Sequence, residues 1–125
     1  MYDKEIILEI LDQIIEAVIT VKRRCEFAKD VDDFLDSDTG KEKLDSICMK
    51  LIAVGESLKK IDKVTDKNLL KNYPDIEWKK IIGIRDFISH HYFDLDAEII
   101  FDICQSHIND LIGTLQTIKS HLEKQ

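Results

Sequence analysis

Residues 97–123 read AEIIFDICQSHINDLIGTLQTIKSHLE, and Ala97, Phe101, Cys104, Ile108, Leu111, Leu115, Ile118 and Leu122 recur there at alternating steps of four and three. Such spacing keeps one stripe of a helix apolar, and its regularity predicts a long helix in left-handed supercoiled packing. Asp94 or Asp96 stands where a side-chain oxygen can cap its first turn. The same rhythm appears near the start of the chain, where Ile7, Leu11, Ile14, Val18, Val21 and Cys25 predict a first helix over about residues 4 to 28.

Between these ends the pattern changes twice. Asp30 to Asp38 is rich in aspartate and carries Val31, Phe34 and Leu35, so it reads as a connection, with at most one helical turn, whose apolar members tuck onto the bundle. Leu44, Ile47, Leu51, Val54, Leu58 and Ile61 then restore the rhythm for a second helix, with Thr39 or Asp38 as its N-cap. Gly55 interrupts that stripe without a capping role, which predicts a close approach by another backbone, next to Glu56. Periodicity fails from Thr65 to Pro74; Tyr73-Pro74-Asp75 marks a boundary, and Asp75 is placed to cap a third helix. That helix carries Ile76, Trp78, Ile81, Ile82, Ile84, Phe87 and Ile88 on nearly all sides and reads as buried.

The chain therefore reads as one all-α domain over 1–125, an up-down bundle of four main helices with short extra turns. One proline and four glycines supply too little turn chemistry for a many-stranded sheet. No apolar run approaches a membrane span, and the mixed charge of Met1-Tyr2-Asp3-Lys4-Glu5 is unlike a secretory signal, so a cytoplasmic protein is expected. Cys25, Cys48 and Cys104 are an odd count on apolar stripes, which suits reduced, buried thiols; Cys104 and His107 have ligand spacing but no second pair, so no metal is expected. Ile6, Ile10, Ile15, Ile99, Ile100 and Ile112 exceed what single stripes need and point to a self-association face. The net charge of −7 disfavours a broad basic coat for nucleic acid and leaves a local basic pocket or a partner's surface for any such role.

The chemistry is concentrated in Ile84-Arg85-Asp86-Phe87-Ile88-Ser89-His90-His91-Tyr92-Phe93-Asp94. Buried ionisable groups must be paired or used, and here they interrupt the third helix. On a regular helix Arg85, Ser89 and Tyr92 share a face, while His90 is turned roughly 140° from Arg85. A twofold axis that brings two copies of the cluster together would join arginine and histidine in one cleft. The bland alternative is a salt bridge of Arg85 with Asp86 or Glu56 that only fixes packing. His91 reads as a solvent-facing neighbour, His107 and His121 as surface residues, and Tyr73 and Trp78 as packing anchors around the proline. Lys59-Lys60 and Lys79-Lys80 are the best local basic patches.

Arg85-x4-His90-x-Tyr92 resembles the R-x4-H-x-Y signature of the HEPN toxins encoded beside minimal nucleotidyltransferases, the HepT-like family. The resemblance extends to Gly55-Glu56, to Tyr73-Pro74-Asp75-Ile76-Glu77-Trp78, to Ile82-Gly83-Ile84-Arg85 and to Phe93-Asp94-Leu95-Asp96, and so covers essentially the whole chain. It implies a homodimeric, metal-independent endoribonuclease, the toxin of a type VII toxin–antitoxin system, with Arg85 and His90 catalytic at a composite dimer site and no cofactor. Asp86, Ser89 and Glu56 would support that pair. Histidine can exchange a proton with an RNA 2′-hydroxyl near neutral pH, and arginine can hold the phosphate. The products would be a 2′,3′-cyclic phosphate and a 5′-hydroxyl. The family's partner nucleotidyltransferase attaches AMP to the tyrosine of the motif, here Tyr92, which would fill the cleft and close it to phosphate. Asp86 departs from the family's usual asparagine; its carboxylate would compete with phosphate for Arg85 and weaken cleavage, or would instead orient His90 or a metal. A non-catalytic nucleotide-binding or docking subunit of a nucleotidyltransferase complex is the alternative.

Overall fold

A computed structural model describes residues 3–90 and 96–125, and among these it is all-α, with no strand. Helix α1 (Lys4–Cys25) starts at Asp3, whose carboxylate accepts hydrogen bonds from the N–H groups of Glu5 (3.0 Å) and Ile6 (3.3 Å). It ends on Lys22, Arg23 and Arg24, cations that suit the negative end of the helix dipole.

The expected single turn exists as α2 (Asp32–Leu35). Its Phe34 is fully buried, edge-on to both Phe27 and Phe101, but Leu35 stays exposed instead of tucking in. Helix α3 (Asp38–Val64) is capped by neither Thr39 nor Asp38: Ser37 is extended, and its hydroxyl accepts the N–H of Gly40 at 3.0 Å. Gly40 is required because a β-carbon there would press into the backbone carbonyl of Asp33. Asp66 and Lys67 end α3 in left-handed conformation (φ 52° and 60°), and the Lys67 N–H returns to the Asp62 carbonyl at 2.8 Å.

Helix α4 (Trp78–His90) begins later than a cap at Asp75 would require. The preceding residues form a turn, in which the Tyr73 carbonyl accepts the Trp78 indole N–H at 2.9 Å and the Ile76 carbonyl accepts the Trp78 backbone N–H at 3.0 Å. Tyr73 in turn stacks on His121 and shares a 2.7 Å hydrogen bond with its Nδ1, so it and Trp78 do anchor the proline turn.

The last arm is α5 (Ala97–Asp102), a π turn over Ile103–His107, and α6 (Ile108–Glu123). Asp96 caps it by accepting the Glu98 N–H at 3.0 Å; Asp94 lies outside the described residues. The π turn corrects the faultless four-three alternation. Seven residues make nearly two α-turns, so a plain helix would align Phe101 with Ile108. The Ile108 N–H instead bonds the Ile103 carbonyl, five residues back, and the wider turn brings Ile100 into the core (0% exposed) while Phe101 stays partly exposed.

Helix α1 packs between α3 and α6, and α4 lies on the other flank of α3. Ile7, Leu11, Val18, Leu58, Leu115 and Ile118 are among the fully buried side chains. Ile10 and Ile100 belong to this core and not to a self-association face, whereas Ile6 and Ile99 remain exposed. Cysteine use also differs from expectation. Cys25 and Cys104 form a disulfide between the end of α1 and the π turn, 79 residues apart in sequence. Two stripes on different helices meet there, which spacing along the chain could not reveal. Cys48 alone is a buried thiol; burial, with the Asp45 carboxylate adding, pushes its pKa up to about 11 and keeps it protonated. No helix among the described residues is long and apolar enough to cross a membrane.

Candidate functional site

Gly55 determines where α4 lies. A β-carbon at this position would stand 3.2 Å from the carbonyl oxygens of both Ile81 and Ile82, so the absence of a side chain lets the two backbones nearly touch. That contact sets Glu56, the next residue of α3, beside Arg85, one turn beyond Ile81 on α4. The Arg85 Nε lies 3.2 Å from Glu56 Oε1, and its Nη1 donates to Asp86 Oδ1 at 2.9 Å.

The expectation that α4 is buried all round is not met. Only Trp78, Ile84 and Ile88 are buried, Ile81, Ile82 and Phe87 are partly covered, and Arg85, Asp86, Ser89 and His90 are exposed. The apolar count was high enough for a buried helix, but among the described residues α4 packs chiefly on one flank of α3. The arginine and its two carboxylates are thus not a buried bridge. With side chains 48% (Arg85), 52% (Glu56) and 68% (Asp86) exposed, these pairs are screened by water and contribute little to stability.

The carboxylates do change the electrostatics. The hydrogen bond to Asp86, then the charges of Glu56 and Asp86, hold the Arg85 guanidinium still more firmly in its charged form. The Arg85 hydrogen bond draws the Asp86 carboxyl below the usual carboxylate value, with the charges of Arg85, His90 and Lys59 acting in the same direction. Asp86 is therefore ionised at neutral pH and occupies one donor of Arg85.

Asp86 also reaches His90. Its backbone carbonyl lies 2.7 Å from His90 Nδ1. A carbonyl oxygen only accepts, so Nδ1 carries the hydrogen, and in the neutral ring Nε2 keeps its lone pair. Glu56, Arg85, Asp86 and His90 thus form one connected surface cluster, with Asp86 in its middle. Ser89 is exposed, and its hydroxyl makes no hydrogen bond among the described residues. Tyr92 and His91 lie outside the described residues. The sequence left open whether Asp86 orients His90; its main-chain carbonyl, not its carboxylate, makes that contact, and a main-chain contact leaves no mark in residue type. No cluster of metal-ligating side chains occurs among the described residues; His107 pairs instead with Asp102 at 3.4 Å.

The fold and the site thus define an all-helical bundle that carries an exposed arginine and an exposed histidine on one helix. The chain belongs to the HepT-like ribonuclease family: the family model "Ribonuclease HepT-like" matches residues 7–118. Among its relatives from Methanocaldococcus jannaschii, "Putative RNase MJ0127" is 29% identical over 104 residues, covering 78% of this chain and 83% of the relative. "Putative RNase MJ0125" is 28% identical over 101 residues, covering 79% and 81%. No solved structure matches the chain.

Proposed function

We propose that this chain is a metal-independent endoribonuclease in which His90 and Arg85 act on RNA at a cleft completed by a second copy of the chain. The carrying observation is the Nδ1 contact of His90 with the Asp86 carbonyl, which leaves Nε2 as the proton acceptor. Nε2 takes the proton of an RNA 2′-hydroxyl as that oxygen attacks the adjacent phosphorus. The bond to the 5′-oxygen breaks, that oxygen receives a proton, and a 2′,3′-cyclic phosphate and a 5′-hydroxyl result. Arg85 binds the non-bridging oxygens and stabilises the charge that grows on them. Because His90 is turned away from Arg85 around α4, a homodimer that pairs one copy's arginine with the other's histidine is the arrangement that suits the chemistry.

In this reading the protein is the toxin of a type VII toxin–antitoxin system, and a partner nucleotidyltransferase neutralises it by attaching AMP to Tyr92. The purified chain, incubated with single-stranded RNA in EDTA, yields cyclic-phosphate ends, and Arg85→Ala lowers the rate roughly 10²–10³-fold. Equal cleavage by both proteins, or none by either, rejects the proposal. Intact-mass measurement after co-expression with the nucleotidyltransferase gives adenylylated Tyr92, and an unmodified Tyr92 in a growth-neutral strain rejects the regulatory half.

Asp86 sets the level of this activity. Phosphate must displace its carboxylate from Arg85, a water-screened contact, so Asp86→Asn raises cleavage by no more than about fivefold, the scale of an exposed ion pair, with little change in stability. A drop in initial rate would show that the carboxylate assists and does not compete.

A further inference from the structure

A groove of about 700 Å³ runs between α4 and the arm formed by α5, the π turn and α6. Neither Arg85 nor His90 lines it, nor does Glu56 or Asp86, so the proposed chemistry makes no use of it. Its apolar lining includes Ile81, Ile84, Ile99, Ile103 and Ile108. Ile99 is 39% exposed, a large side chain left in water by the fold. Asp75, Glu77, Asp96, Glu98, Asp102 and Asp110 also line it, against Lys80 and His107 as possible cations. Both of those are engaged locally, Lys80 with Glu77 at 2.9 Å and His107 with Asp102 at 3.4 Å. Asp75, Glu98 and Asp110 have no ion pair among the described residues.

We infer that this groove is the docking site for a basic amphipathic helix of a protein partner. The apolar lining favours a segment that can insert several aliphatic side chains at i, i+3, i+4 and i+7. The acidic lining selects among such segments: lysines or arginines flanking the apolar stripe would meet unpaired carboxylates, while acidic segments would be repelled. RNA is excluded because its phosphates would face the same carboxylates. A second copy's groove is disfavoured as the occupant because it would set the same carboxylates against each other.

The test uses a fluorescently labelled helical peptide with leucines at that spacing and lysines beside them, and a twin with glutamates for the lysines. The lysine peptide binds at micromolar concentration, more weakly as salt rises, and the glutamate peptide does not bind. Glu98→Lys, Asp110→Lys and Ile99→Asp each weaken binding about tenfold, while Glu42→Lys, on the exposed first turns of α3, has no effect. Equal binding of both peptides, equal loss in Glu42→Lys, or no binding at millimolar peptide overturns the inference. So does sedimentation showing that groove variants break up a self-associated species, because the occupant is then another copy of this chain. No readout involves RNA, so the result is independent of the ribonuclease reading.

Discussion

Replacing His90 with alanine lowers RNA cleavage roughly 10²–10⁴-fold, the range removed with a general acid–base group, while the melting temperature stays within about 2 °C of the parent. The two halves of this expectation have separate grounds. The loss follows from Nε2, the acceptor left when Nδ1 is held by the Asp86 carbonyl. The unchanged stability follows from exposure: His90 lies at the end of α4, and its one hydrogen bond runs to a carbonyl in the last turn, which water can satisfy. Cleavage assays with matched thermal melts check both. A variant that unfolds would make His90 structural, and a variant that cleaves normally would remove the histidine from the mechanism.

Gly55→Leu carries the largest expected cost to the fold, about 3 kcal/mol by urea denaturation, at the upper end of overpacking effects. The atoms in the way are the carbonyl oxygens of Ile81 and Ile82, each 3.2 Å from the new β-carbon, and Ile84 Cγ2 lies at 3.5 Å. Backbone cannot rotate aside as a side chain does, so α4 would have to lift from α3. The Arg85–Glu56 contact would open with it. A change below about 0.5 kcal/mol, the range of ordinary surface substitutions, would mean that the helices are not in such contact.

Much of this was legible along the chain because each feature has a local cause. The apolar rhythm of Ile7 to Cys25 and of Leu44 to Ile61 marks α1 and α3 directly, and the glycine inside the second stripe announced the close approach at α4. Arg85, Glu56 and Asp86 were singled out together, and they do touch. The misreadings share a different cause, three-dimensional context. Seven apolar residues in Ile76 to Ile88 suggested burial on every side, but among the described residues α4 packs chiefly on α3 and leaves Arg85, Asp86, Ser89 and His90 exposed. Ser37 outcompeted Thr39 and Asp38 as cap because the tight packing of Gly40 on α2 fixes where α3 starts. Three cysteines on three stripes could not show which pair meets.

The wide turn at Ile103–His107 means that the final arm contains one residue beyond what its span requires. Ile100 lies eight positions before Ile108 yet faces the core as though it lay seven before. Shortening the chain by Gln105, which points to solvent, would leave an unbroken α-helix with Ala97 and Ile100 still facing inward and Asp96 still at its head. This stretch can therefore absorb the loss of a residue without a shift in the pairing of the helices, whereas a deletion within Leu111 to Leu122 would rotate every following core side chain by about 100°.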